Sequence, residues 1–118
     1  MLNNVVIVGR LTKDPVVVKS ESGNSRTFTV IAVPRTYKNA NGEYEADFIK
    51  CILWNAMAEH TCEYCKKGDI VGIKGRLESR TYEKDGETRY DTEIIAERIS
   101  FLSAKNIKDN IVLDNPEA

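Results

Sequence analysis

A chain of 118 residues is long enough for one hydrophobic core and too short for two, so a single domain carries whatever function there is. Its 42% hydrophobic and 30% charged residues fit a soluble folded protein and argue against both disorder and a membrane span. With 17 basic against 18 acidic residues the net charge is −1, which excludes a strongly basic domain and makes the placement of charge more telling than its sum.

The first ten residues carry no basic leader region, and Arg10 ends their apolar run too early for a secretion signal or a spanning helix, so a cytoplasmic location is expected. Residues 3–11 are rich in β-branched side chains and read as a buried strand, followed by a bend at Thr12-Lys13-Asp14-Pro15. Residues 16–19 can add a short strand. After Ser22-Gly23-Asn24, residues 26–33 form a second long strand that is expected to stop at Pro34, which has no N–H for a ladder. A loop to about residue 44 reverses tightly at Asn39-Ala40-Asn41-Gly42.

The third strand, residues 47–54, alternates: Phe48, Lys50, Ile52 and Trp54 point one way, Ile49, Cys51 and Leu53 the other. Asn55 reads as a helix N-cap, Met57, Thr61 and Tyr64 recur at helical spacing, and Gly68 after Lys66-Lys67 is a stop, which gives one helix of about three turns. In residues 69–82, Val71, Ile73, Gly75 and Leu77 share one face, and Lys74, Arg76, Glu78, Arg80 and Tyr82 the other. Asp85-Gly86 is a hairpin turn into a return strand over residues 87–102, with Tyr90, Thr92, Ile94 and Ala96 opposed to Glu93, Ile95, Ile99 and Phe101. Beyond Ser103 the chain turns polar, dividing it into a domain of residues 1–103 and a tail of residues 104–118 that is expected to fray.

Five long strands with a single helix between the third and fourth make an all-β OB-type barrel. A sheet of this kind holds a single nucleic-acid strand by offering aromatic faces to bases and cations to phosphates. Strand parity places Phe48 and Trp54 with Lys50, and Tyr82 with Lys74, Arg76 and Arg80. Taken alone, Phe48 or Trp54 reads equally well as core; their shared parity with a cation favours a surface role.

The opening Asn3-Asn4-Val5-Val6-Ile7-Val8-Gly9-Arg10-Leu11-Thr12-Lys13-Asp14-Pro15 resembles that of bacterial single-stranded DNA-binding proteins. The similarity continues through residues 28–33 with Tyr37, residues 46–49 leading to Trp54, residues 63–68, and Gly75-Arg76-Leu77 with Arg80-Thr81-Tyr82, to about residue 102. It implies that Tyr37, Phe48, Trp54 and Tyr82 stack on DNA bases and that four copies assemble with first strands pairing between subunits; Lys50, Lys74, Arg76 and Arg80, which share faces with these aromatics by strand parity, are expected to meet the phosphates. The chain departs from the main replicative members in ending Leu113-Asp114-Asn115-Pro116-Glu117-Ala118, with no acidic tip closing on Phe. Recruitment of replication or repair enzymes through such a tip is therefore not expected, and a short paralogue, or a phage or plasmid copy, is.

Cys51, Cys62 and Cys65 form an odd set that fits reduced thiols better than disulfides. Cys62-Glu63-Tyr64-Cys65 lacks the second ligand pair of a zinc module and falls late in the helix, away from the dipole that would lower a thiol pKa. Nothing around His60, the one histidine, supplies the serine, carboxylate and oxyanion-hole arrangement of a hydrolase, and no phosphate-binding glycine pattern appears. The expectation is therefore no catalysis, no cofactor and no metal, with single-stranded DNA and further copies of the chain as partners. The rival readings are an RNA-binding OB protein and an OB subunit of a primosome that binds mainly proteins.

Overall fold

Val5, Val6, Ile7 and Val8 favour extended backbone, and they open strand β1 (Val5–Leu11) in the computed structural model, which describes residues 1–103 and 112–114. The chain continues as β2 (Val18–Lys19), β3 (Ser25–Lys38), β4 (Tyr44–Trp54), α1 (Asn55–Tyr64), β5 (Ile70–Lys84), β6 (Glu87–Phe101) and β7 (Val112–Asp114). The sheet order is β1-β5-β6-β4-β3-β2, and a further pairing of β1 with β3 closes the five long strands into a barrel. Among the described residues only β4 and β6 run parallel; the other paired strands are antiparallel. This is the all-β OB arrangement, with its helix after the third long strand.

The core holds Leu11, Ile31, Cys51, Leu53, Val71, Ile73, Ile94, Ile99 and Phe101, and α1 adds Met57 and Ala58. Inside the barrel the alternation of β3 and β4 turns Thr27, Thr29 and Ile31, and Cys51 and Leu53, inward. Asp85 and Gly86 both have positive φ, 54° and 77°, as the mirror-image turn of a two-residue hairpin requires. At the other hairpin, the Asn39 side-chain oxygen accepts the N–H groups of Asn41 and Glu43.

Five local features differ from the sequence expectation. Strand β3 does not stop at Pro34 but runs to Lys38, with a register irregularity between the two. Its pairing with β1 ends at Ile31 and Ala32, so beyond that point β3 has one neighbour and tolerates a residue with no N–H to donate. In β6, Lys74 faces Arg98 while Gly75 faces Ala96, which leaves Glu97 as an extra residue. That bulge reverses the parity of the strand, so Ile94 and Ala96 point into the same core as Ile99 and Phe101 instead of opposing them.

Leu77, placed by parity with Val71 and Ile73, is exposed, because the β5–β6 hairpin leaves the barrel there and has no layer above it. Asn55 does not cap α1; it is the first helical residue, and its side-chain oxygen accepts the Ser25 N–H at 3.3 Å, tying the helix start to β3. The short strand expected within residues 16–19 is β2. The pairing of β7 with β6 was not anticipated. The remainder of the expected tail lies outside the described residues, and with it the division of the chain at residue 103 and the question of an acidic tip.

Two glycines are required by close approach. A Cβ on Gly9 would press into the Ala32 carbonyl oxygen, and one on Gly75 into that of Ile95, whereas at Gly72 the nearest atom is a Leu102 methyl at 3.4 Å. Gly9→Ala and Gly75→Ala should each lower the urea midpoint, by an equivalent of about 1–3 kcal/mol, while Gly72→Ala leaves it nearly unchanged. Equal midpoints for all three would contradict the packing at the β1–β3 and β5–β6 contacts.

Candidate functional site

Directly paired residues of antiparallel strands project to the same face. Between β3 and β4 the outward pairs are Arg26 with Trp54, Phe28 with Ile52, Val30 with Lys50 and Ala32 with Phe48. Phe48 is 67% exposed, a poor place for an aromatic ring with no partner, and Trp54 is half-buried at the strand end. Ile52 points outward yet is only 5% exposed, because Phe28 on β3 and Ile95 on β6 flank it.

The same surface continues onto the β5–β6 ribbon. There Arg76 lies opposite Ile95, Arg80 opposite Asp91 and Tyr82 opposite Arg89. The Lys50 ammonium donates to the Asp91 carboxylate at 2.8 Å, and the Arg80 guanidinium stands 4.0 Å from the same carboxylate. Tyr82 and the buried Glu93 are near enough to act on the Lys50 charge. A hollow of about 300 Å³ between Phe48, Lys50, Leu77, Asp91 and Thr92 opens beside this cluster.

The hydrogen bond to Asp91, and then its charge, raise the Lys50 pKa; the same bond and the Lys50 charge hold the Asp91 carboxyl below the usual carboxylate range. For Asp91, whose pKa is depressed, the pairing is present above the ordinary carboxylate range and lost as pH falls through the depressed value. For Lys50, whose pKa is raised, it is lost only as pH climbs through the raised value. The pair is therefore intact at neutral pH, and at this exposed site its contribution to stability is small.

Of the residues expected from sequence to act together, Phe48, Lys50, Trp54, Arg76, Arg80 and Tyr82 share one continuous outer surface. Tyr37 stands apart on the β3–β4 hairpin beyond Pro34, exposed, with the Arg35 guanidinium 6.0 Å from its ring centroid. Arg35 is itself tied to Asp47 at 2.7 Å and Glu45 at 2.9 Å, which holds Asp47 below the usual carboxylate range. Lys74 is also separate: it lines another hollow with Val6, Val8, Arg98 and Leu102. Arg26, Phe28 and Asp91 join the surface without having been singled out by sequence. Phe28 follows the alternation of its strand, but the register that sets it against Ile52 is not written in either strand alone.

The thiols stand away from this chemistry. Burial pushes Cys51 and Cys65 up to about 12, and raises Cys62 as well, so all three are protonated at neutral pH. His60 stacks on Tyr64, with ring centroids 6.0 Å apart.

The sequence profile of the single-strand binding protein family matches residues 2–102. Single-stranded DNA-binding protein B of Bacillus subtilis is 44% identical over 106 residues, covering 89% of this chain and 94% of that protein. Single-stranded DNA-binding protein 1 of Staphylococcus aureus is 48% identical over 112 residues, covering 93% of this chain and 71% of its own. Single-stranded DNA-binding protein 2 of Listeria monocytogenes is 46% identical over 107 residues, covering 90% and 67%.

Phe48 and Ile52 lie on one face of one strand and differ in cover. Thermal melts should find Phe48→Ala within ~0.5 kcal/mol of the native chain and Ile52→Ala less stable by ~2–5 kcal/mol. A large loss for Phe48→Ala would place its ring in the core.

Proposed function

The chain belongs to the single-strand binding protein family, and we propose that it binds single-stranded DNA without reading its sequence, by stacking bases on Phe48, Trp54, Tyr82 and Tyr37 and by holding phosphates with Lys50, Arg76 and Arg80. The observation that carries this is the exposed Phe48 ring on one surface with Trp54, Lys50 and Arg80. Each stacked base contributes ~1–3 kcal/mol whatever its identity, because every base has a π-face. Four such rings suffice for tight binding with no hydrogen-bond readout. Lys74 would meet the strand only where the strand passes over the β1 side of the barrel.

Binding in this way needs no reaction, cofactor or metal, and the protein acts as a sheath for exposed strands in replication, recombination or repair in the cytoplasm. We further propose a homotetramer. Its support is on β1: residues 5–9 pair with β5 along one edge, while β3 reaches only Arg10 and Leu11 on the other. Val6 and Val8 are exposed on the outer face of that strand. A second copy covers both the free edge and the valines.

Asp91 explains how a nearly neutral chain manages such binding. It neutralises Lys50 while no strand is present, so an incoming phosphate exchanges one anion for another instead of meeting a bare cation. Asp91→Asn should therefore tighten binding to poly(dT) several-fold and steepen the salt dependence, by ~0.7 in log–log slope for each further phosphate neutralised. An unchanged slope would separate Lys50 from the DNA path. For the function itself, poly(dT) should quench the fluorescence of Trp54, the one tryptophan, saturably, and duplex DNA should not. Binding without quenching would remove Trp54 from the interface; no binding to any single strand, or a clear preference for matched RNA, would overturn the DNA reading.

A further inference from the structure

We propose that Phe28 and Arg26 of β3 form a further nucleotide subsite, a stacking ring with its own phosphate-binding cation, between Trp54 and Phe48 on the path of the strand. The inference rests on the single-strand reading above and extends it to the barrel portion of β3, a strand whose other proposed contact, Tyr37, lies on the hairpin beyond Pro34.

Phe48 and Trp54 are six residues apart on β4, about 20 Å along the strand, a long step between neighbouring platforms. On β4 itself the outward residues between them are Lys50, which is ion-paired, and Ile52, which is covered. Phe28 fills this gap from the adjacent strand: it lies directly opposite Ile52 and diagonal to both Lys50 and Trp54, at ~7–8 Å between Cα atoms. It covers Ile52 and still leaves 39% of its own surface in solvent.

Arg26 supplies the charge. Its guanidinium lies 5.1 Å from the Phe28 ring centroid, and its backbone partner is Trp54. Lys50, Arg35, Arg76 and Arg80 each stand within ion-pair distance of a carboxylate, whereas Arg26 makes no ion pair among the described residues. A planar cation held against an aromatic ring, with no acidic partner, at the end of the aromatic row, is a site for a nucleotide: the ring takes the base and the guanidinium takes the phosphate.

The test uses the full chain and a dye-labelled oligo(dT), with binding read by fluorescence anisotropy. Phe28→Leu keeps an apolar cover over Ile52 and removes the π-face; it should weaken binding about tenfold with an unchanged melting temperature, and Phe28→Tyr should restore affinity. Arg26→Ala should reduce the log–log salt slope by ~0.7, one phosphate's worth. As an independent readout, Phe28→Trp in a Trp54→Phe background places the one tryptophan at the subsite, and oligo(dT) should quench it. Native affinity in a Phe28→Leu protein that melts like the parent would overturn the subsite. So would an unquenched Trp at position 28 while anisotropy reports bound DNA; this second readout decides the matter if Phe28→Leu melts lower. Failure of the native chain to bind labelled oligo(dT) is a different result, which overturns the single-strand reading and the subsite with it.

Discussion

From Arg26 to Pro34, β3 is held against β4 in unbroken antiparallel register, and everything on the outer surface follows from that pairing. Side chains alternate at each residue, so a slip of one would bring Ile31, Cys51 and Leu53 into water and send Phe28, Lys50 and Phe48 into the barrel. Burial of the inner set fixes the register, since each large apolar side chain is worth about 1.5–3 kcal/mol inside. The outer set is free to be unfavourable on its own account. An exposed Phe48 and a half-exposed Phe28 are tolerable because the other face of the same two strands holds them in place.

Apart from Arg26, the cations here are arranged in pairs with carboxylates. Lys50 is answered by Asp91, Arg76 by Glu78, and Arg35 by Asp47 and Glu45. Surface pairs of this sort add little to stability. Their effect is on what the surface presents to an anion: cations in fixed positions whose charge is already partly neutralised. A chain with a net charge of −1 can in this way keep a cationic track without the long-range field of a basic protein, and the proposed binding then draws the larger share of its affinity from aromatic stacking.

The barrel was legible because its information is local. Residues 3–11 and 47–54 show strand chemistry directly, Asp85-Gly86 marks its turn, and the helix lies between two unmistakable strands. The aromatic–cationic surface was legible on β4 for the same reason, since Phe48, Lys50 and Trp54 share a parity within one strand. Pairing between strands was not. Arg26 and Phe28 join the surface through register, and Asp91 through the contact of β6 with β4, a relation between residues 41 apart in sequence. Period-two counting also broke at Glu97, where one extra residue reverses the alternation, and at Leu77, where the ribbon outruns the barrel.

The bulge at Glu97 bears on the site as well as on the count. On the barrel side of it, β6 supplies Ile99 and Phe101 to the core while pairing with β5; on the other side it still supplies Ile94 and Ala96, and it also pairs in parallel with β4 through Ile94 and Ile95. Without the extra residue, keeping Ile99 inward would force Ile94 outward, and the outward set of β6 would become Ile94 and Thr92 in place of Ile95 and Asp91. Lys50 would then face Thr92 in place of its carboxylate, while Ile52 would still have an isoleucine beside it. One inserted residue thus lets a single strand close the core at one end and set the charge of the outer surface at the other.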